Sequence, residues 1–329
     1  MSTSLFPSLI VLNPHGYVAE QQAQMVITST LLMLLIIVPT IVLTLVFARR
    51  YRASNTQATY MPEWDHSIPI GLAMWGAPLL IIIALGILTW KGTHALDPYR
   101  PLDRIDAQRA VPAGMKPLVV DVVAMDWKWL FVYRDQGIAT VNELALPVDR
   151  PVEFRITAST VMNTFYVPAM AGMVYAMPGM QTPMHAVLNR PGTYEGLSAN
   201  FSGAGFSDMH FRVLGLAEGD FAAWVEAVRE GGDALTRAGY LQLEKPSSKE
   251  PVRRYAKVDD GLYEAVLNRC VEAGKMCLHD MMAIDAAGGL GKGSVDGLRQ
   301  RRMADGSTRT VVAALCTPDN PLGLPRPTP

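Results

Sequence analysis

Cysteine is nearly absent: three residues, Cys270, Cys277 and Cys316, stand in a chain of 329, all in its last quarter. That is too few for a disulfide scaffold, and the spacing fits no zinc motif. An excess of one charge is also lacking. Lys and Arg number 29 against 30 Asp and Glu, a formal net charge of −1, so the electrostatic footprint of a nucleic-acid binder is missing. The first 20 residues carry one charge, Glu20, and neither Lys nor Arg. Without a basic start, and with Pro7 breaking Met1–Leu12, no cleavable signal peptide is expected. No cysteine near the N-terminus is available for a lipoprotein anchor.

Charge is missing altogether from two long runs, Gln21–Ala48 and Ser67–Trp90. Each exceeds the roughly 20 residues that cross a hydrocarbon core about 30 Å thick. A buried helix of a soluble protein would keep a polar stripe, and neither run does. Pro39, Pro69 and Pro78 lie inside them, which membrane helices tolerate. Between the runs stand Arg49, Arg50 and Arg52. The positive-inside rule puts this short loop in the cytoplasm and both chain ends on the far side, periplasmic in a bacterium. Tyr60, Trp64 and Trp90 suit the interfacial aromatic belts.

After a proline-bearing linker the pattern changes to short strands: Leu118–Met125, Trp127–Tyr133, Val141–Leu146, Val152–Thr157, Phe165–Val167, Met184–Leu188, Thr193–Ser198 and His210–Leu214. Strands at such intervals, punctuated by Gly and Pro, argue a β-sandwich or barrel. Helices are expected at Phe221–Glu230, ended by Gly231 and Gly232, and at Tyr263–Ala273, ended by Gly274. The Gly-, Arg- and Ser-rich tail from Ala286, closing in a Pro-rich run, is expected to be flexible.

A two-helix hairpin followed by an exported β-domain is an architecture, not a function. Particular segments narrow it. Val122-Val-Ala-Met-Asp-Trp-Lys-Trp-Leu-Phe resembles the aromatic strand of the cytochrome c oxidase subunit II family, Val161-Met-Asn-Thr-Phe-Tyr-Val-Pro its "Val-x-His-Ser-Phe-x-Val-Pro" strand, and Pro191-Gly-Thr-Tyr-Glu-Gly the turn before its copper loop. Tyr51-Arg-Ala-Ser-Asn and Leu88-Thr-Trp-Lys-Gly-Thr-His-Ala-Leu resemble the bo-type ubiquinol oxidase branch. The match runs from about Gln21 to Leu214.

The resemblance implies a two-helix transmembrane hairpin and an all-β cupredoxin-like periplasmic domain, a Greek-key sandwich or barrel, with a helical C-terminal extension. The expected divisions are a periplasmic tail 1–24 and a hairpin 25–94, with helices about 25–48 and 68–90 and a cytoplasmic loop 49–67. A linker 95–117, a cupredoxin-like domain 118–216, an extension 217–285 and a flexible tail 286–329 follow. Copper-binding members hold two copper ions with two His, two Cys, a Met and a Glu carbonyl, in a loop reading "Cys-x-Glu-x-Cys-x-x-x-His-x-x-Met". Here Ser198 and Ser202 stand at the cysteines, Asn200 at the glutamate, Phe206 and Asn163 at the histidines, and only Met209 is retained. A neutral hydroxyl cannot bridge copper as a thiolate does. Losing that centre removes the electron port for cytochrome c, which a lipid-soluble two-electron donor does not need.

The implied function is therefore that of a non-catalytic subunit II of a quinol:oxygen oxidoreductase. Haems and copper would lie on subunit I, with no catalytic residue, cofactor or metal on this chain. Subunit I and smaller membrane subunits would be its partners and ubiquinol the substrate of the complex, without nucleic acid. Two rivals stand beside it: a cytochrome c oxidase subunit II, which needs the missing ligands, and a membrane-tethered periplasmic copper-binding module. The second could draw only on Met162, Met170, Met173, Met177, Met180 and Met184, for which flexible packing is the simpler reading.

Trp127 occupies the family's electron-entry position; without copper, Trp127 and Trp129 are read as packing residues or an interface with subunit I. His185 and His210 could approach each other across strands. Where many members carry a glutamate near the cytoplasmic start of the second helix, lining a proton entrance, this chain has Gly71, so that role cannot be carried over. Cys270 and Cys277 are seven residues apart, about two helical turns, too far to bond within one helix. A pairing of Cys316 with Cys270 or Cys277, stapling the C-terminal extension, stands beside a free thiol, since three cysteines always leave one over.

Overall fold

The structure, a computed structural model, describes residues 10–59, 61, 63–286, 298–302 and 308–312. They form two compact units: Met1–Pro14 with Val18–Asp97, and His15–Tyr17 with Pro98–Pro329.

The first unit holds helices α1 (Tyr17–Arg50) and α2 (Ile68–Ala95). Both are long and apolar enough to cross a membrane. At about 1.5 Å per residue each reaches well past a hydrocarbon core. Their large side chains, among them Leu31, Leu35, Leu72, Trp75 and Leu80, are exposed, the pattern of helices whose solvent is lipid rather than protein. Thr30, Thr40 and Thr44 return their hydroxyls to the carbonyl four residues back, so these polar groups are satisfied within α1. Gly92 near the end of α2 lies against Met25 near the start of α1, which makes the pair an antiparallel hairpin.

The second unit is a β-sandwich. Its strands are β1 (Leu118–Met125), β2 (Lys128–Tyr133), β3 (Ile138–Val141), β4 (Glu143–Pro147), β5 (Val152–Ala158), β6 (Asn163–Tyr166), β7 (Val174–Ala176), β8 (Thr182–Ala186), β9 (Gly192–Ser198), β10 (His210–Leu216), β11 (Asp233–Leu235) and β12 (Arg253–Val258). One sheet runs β11-β12-β3-β2-β1-β5-β8 and the other β4-β10-β9-β6-β7. β1 pairs antiparallel with β2 and parallel with β5. Where one strand was expected over Val141–Leu146 there are two, because Asn142 takes a left-handed φ of 55° and the chain changes sheet there. Asn142 is held in that conformation by its side chain, which accepts from Trp129 N and donates to the Glu250 carbonyl.

Between the sheets lies an aromatic core. Trp129, Phe131, Phe154, Phe165 and Phe211 pack with ring centroids 5.1–6.4 Å apart. A second core covers the other face of the larger sheet. Val123, Met125, Leu130, Val132 and Val141 there meet Leu235, Tyr240, Leu243, Leu262, Tyr263, Val266 and Cys270. Residues from both faces of β2 are thus buried, which is why Lys128–Tyr133 lacks the apolar–polar alternation that β10 keeps.

The C-terminal extension supplies that cover. It contains α3 (Glu218–Gly231), α4 (Arg237–Leu243), α5 (Leu262–Leu267) and α6 (Leu278–Ala286). The expectation of a helical extension needs amending: β11 and β12 lie between its helices and lengthen the larger sheet, with Arg253, Arg254 and Tyr255 pairing onto β3. Arg254 and Arg212 both bind the wholly buried carboxylate of Glu143, which ties the extension to both sheets. In the tail, β13 (Leu298–Arg302) and β14 (Thr308–Val312) form a hairpin.

Candidate functional site

The positions where copper ligands would stand converge at one end of the sandwich. Asn163 opens β6, Ser198 closes β9, and Asn200, Ser202, Phe206 and Met209 follow along the loop into β10. Asn163, Ser198 and Met209 are buried. The Ser198 hydroxyl lies 3.2 Å from Asn163 Oδ1 and 3.3 Å from the Asn200 carbonyl. Asn163 Nδ2 donates to the Val161 carbonyl at 3.1 Å, and Asn200 Nδ2 to the Met162 carbonyl at 3.2 Å. The Ser202 hydroxyl is 4.0 Å from Met209 Sδ. Ser198 N donates to the Met209 carbonyl, closing the loop on itself.

A two-copper centre does not fit this set. Soft copper needs thiolate or imidazole donors. Here the side-chain polar atoms are neutral amides and hydroxyls, and they are already spent on one another and on the backbone. The loop histidine position, Phe206, is half-buried and packs edge-on against exposed Phe201 at 5.7 Å. Among the described residues no group of three or more His, Cys, Asp or Glu could hold a metal ion.

Trp127 braces the loop from the other side. Its indole Nε1 donates to the Ser202 carbonyl at 3.1 Å, and its ring fills the space beside Gly203 and Gly205. A Cβ at Gly205 would stand 2.5 Å from that ring. Trp127 itself has a φ of 102°, a conformation costly for a bulky residue. Trp129 is different and corrects an expectation. It is 0 % exposed, inside the aromatic core, and cannot form an interface with another subunit. Two residues apart in one strand, the indoles would share a face; they do not, because Trp127 lies in the turn ahead of β2, where its φ of 102° sends its indole to the loop while that of Trp129 enters the core.

The surface of this end is apolar. Val161, Met162, Met180 and Phe201 are exposed, and the Asn200 side chain joins the loop bearing Phe201 to the one bearing Met162. The six methionines grouped in sequence do not act as one set: Met170 and Met184 are core residues, while Met162, Met173 and Met180 face outward. His185 and His210 lie in different sheets, on β8 and β10. His210 Nδ1 sits 2.8 Å from Glu195, and His185 is opposite Glu153.

The chain matches two families over this unit. Residues 134–215 match "Cytochrome C oxidase subunit II, periplasmic domain", and residues 229–274 match "COX Aromatic Rich Motif". A cytochrome bo(3) ubiquinol oxidase subunit 2 of Pseudomonas putida is 45% identical over 79% of this chain and 80% of its own. The chain belongs to the ubiquinol oxidase subunit 2 family. A ubiquinol oxidase subunit 2 of Acetobacter aceti is 47% identical over 79% of this chain and 82% of its own. Among solved structures, the periplasmic domain of subunit II of cytochrome oxidase from Bradyrhizobium japonicum is 21% identical, with a TM-score of 0.34, over 34% of this chain and 94% of that one. For a ubiquinol oxidase subunit 2, the cupredoxin-like sandwich is the family's β-domain, and its extension is the aromatic-rich motif that roofs the larger sheet.

The cysteines depart from the expected pairing. Cys270 and Cys277 form a disulfide, with Cα atoms 4.8 Å apart. No helix joins the two cysteines: where one was expected over Tyr263–Ala273, α5 stops at Leu267, and Arg269 takes a left-handed φ of 56° and turns the chain back. Cys316, expected to pair with one of them, lies outside the described residues. A signal was available in Gly274, whose φ of 79° makes the turn inside the ring.

Proposed function

We propose that this chain is the non-catalytic subunit II of a proton-translocating quinol:oxygen oxidoreductase, anchored in the bacterial inner membrane. Its hairpin spans the membrane, and its β-domain and N-terminus are periplasmic. The observation that carries the reading is an intact copper-loop fold whose ligand positions hold Asn163, Ser198, Ser202 and Phe206, in a chain 45% identical to a bo(3) ubiquinol oxidase subunit 2. Such a chain has no port for a one-electron carrier, and quinol delivers its electrons within the membrane. Haems and copper then belong to subunit I, with no redox centre on this chain.

The common side of the N-terminus and β-domain has its own support. His15–Tyr17, just ahead of the first apolar run, belongs to the β-domain unit. His15 N donates to the Ala169 carbonyl at 2.8 Å and Asn189 N to the His15 carbonyl at 2.7 Å. Gly16 has no room for a Cβ between Val187 and Met170. A segment before the first span and a domain after the second can be joined this way only if they share one side. The apolar end with Val161, Met162, Met180 and Phe201 is the surface we assign to subunit I, since contiguous exposed apolar side chains mark partner contacts. The role there is assembly and capping of subunit I.

The test removes the β-domain while keeping the hairpin and measures the membranes' quinol-driven oxygen uptake and subunit I haem content. Both are expected to fall sharply. Full activity with normal haem content would overturn the proposed role.

A further inference from the structure

Between the end of α5 at Leu267 and the start of α6 at Leu278 the chain has no regular structure, yet it closes tightly. Cys270 N donates to the Ala265 carbonyl at 2.8 Å, and Leu278 N to the Asn268 carbonyl at 2.9 Å across the mouth of the ring. Val271 and Met276 inside the ring are buried, as is Cys270, while Cys277 is half-buried. The two residues flanking the ring, Arg269 and Leu278, meet over one glycine. A Cβ at Gly179 would stand 2.8 Å from Leu278 Cδ2 and 3.9 Å from Arg269 Cδ. Gly179 lies in the loop between β7 and β8, next to Met180 of the apolar end. The disulfide therefore holds together the two residues that seat the aromatic-rich motif on this loop.

We propose that Cys270 and Cys277 are the substrate pair of an oxidative thiol–disulfide exchange through which the exported chain matures. The bond so made fixes Arg269 and Leu278 on Gly179. One cysteine thiolate attacks the disulfide of an exported protein oxidant, forming a mixed disulfide and releasing one donor thiolate. The second cysteine displaces the other donor sulfur. Two thiols are oxidised, the donor disulfide is reduced to a dithiol, and the two protons of the chain's thiols pass to the donor's sulfurs or to solvent. The exported setting of this step rests on the periplasmic placement proposed above; the pairing rests on the geometry alone.

The full chain, acid-quenched from cells, is denatured and treated with a maleimide reagent before and after reduction. One reactive cysteine is expected before reduction and three after, with a linked peptide pair containing Cys270 and Cys277. A linked peptide containing Cys316 would overturn the pairing and leave the placement standing. A fully reduced chain in cells, whose purified form closes the 270–277 pair with oxidised glutathione, would overturn the exchange step and the periplasmic placement together. In the full chain with both Cys270→Ser and Cys277→Ser, trypsin cleavage after Arg269 and Lys275 should accelerate on the order of 50-fold, the loop-closure entropy of so short a ring. The sandwich should stay protected. Equal cleavage in both proteins would overturn the seating role.

Discussion

Two chain reversals in the β-domain unit face the same problem and answer it differently. The loop from Ala199 to Met209 is held by non-covalent contacts: Asn163 with Ser198, Asn200 with the Met162 carbonyl, and the Trp127 indole on Ser202. The ring from Cys270 to Cys277 is held by one covalent bond and a single hydrogen bond across its mouth. In the first, each polar atom is satisfied by a neighbour, so no single side chain is indispensable except the one that fills space. In the second, the constraint is concentrated in one bond. A loop with neither a metal nor a disulfide to hold it takes its rigidity from packing, and here the Trp127 ring provides it.

The largest effect is expected in the aromatic core from which both sheets, and the strands flanking the loop, are built. Trp129→Ala empties a fully buried site between Phe165 and Phe211. It should cost about 3–5 kcal/mol in thermal or denaturant unfolding of the full chain. A loss under about 1 kcal/mol would show that Trp129 does not anchor this core. Next in size is the pH dependence beneath the aromatic-rich motif. Asp121 on β1 is buried, and burial pushes its carboxyl up to about 6 despite the Arg134 guanidinium, which donates to Oδ2 at 2.9 Å and 3.1 Å.

An acid whose folded pKa is raised binds its proton more tightly when folded. Its contribution is therefore full below the unfolded pKa of about 3.9 and is lost as pH rises through about 6. Stability should drop by up to about 3 kcal/mol across that window, the two-unit shift converted at about 1.4 kcal/mol per unit. Asp121→Asn should flatten the profile. A profile unchanged by that substitution would assign the dependence elsewhere.

Gly205→Ala sharpens the comparison on the loop itself. The new methyl meets the Trp127 ring, and overpacking of this kind costs about 1–3 kcal/mol. It should also move the Trp127 fluorescence, which a merely local backbone effect would not. The smallest effect is expected at Ser202→Ala. Its hydroxyl reaches only Met209 Sδ at 4.0 Å, so the change should stay within about 0.5 kcal/mol in the same unfolding measurement. A loss above about 2 kcal/mol would make Ser202 a structural hinge of the loop.

The hairpin was legible because uncharged runs of more than 20 residues have one physical outcome in a bilayer. Most sandwich strands were legible from Val- and aromatic-rich runs between turn residues. β3 and β4 were read as one strand because nothing in Val141–Leu146 announces that the Asn142 backbone turns left-handed and changes sheet. β11 and β12 were missed for a related reason. Arg253–Val258 is mostly charged and polar and becomes a strand by pairing onto the β3 edge, a preference of the partner rather than of the segment. The chemistry of Asn163, Ser198, Ser202 and Phe206 was legible by type, since Ser, Asn and Phe cannot supply soft donors wherever they stand.

The sequence alone, then, determined the two membrane-capable helices, the β-rich class of the domain that follows them and the neutral side chains at Asn163, Ser198, Asn200 and Ser202. Each depends on residue type and local order. The tertiary structure decided which tryptophan is core and which braces the loop, and which cysteines meet. Those outcomes depend on where the backbone turns. At Asn142 and Arg269 the turn is a single left-handed residue, held at Asn142 by Trp129 and Glu250 and followed at Arg269 by the ring that Cys270 and Cys277 close.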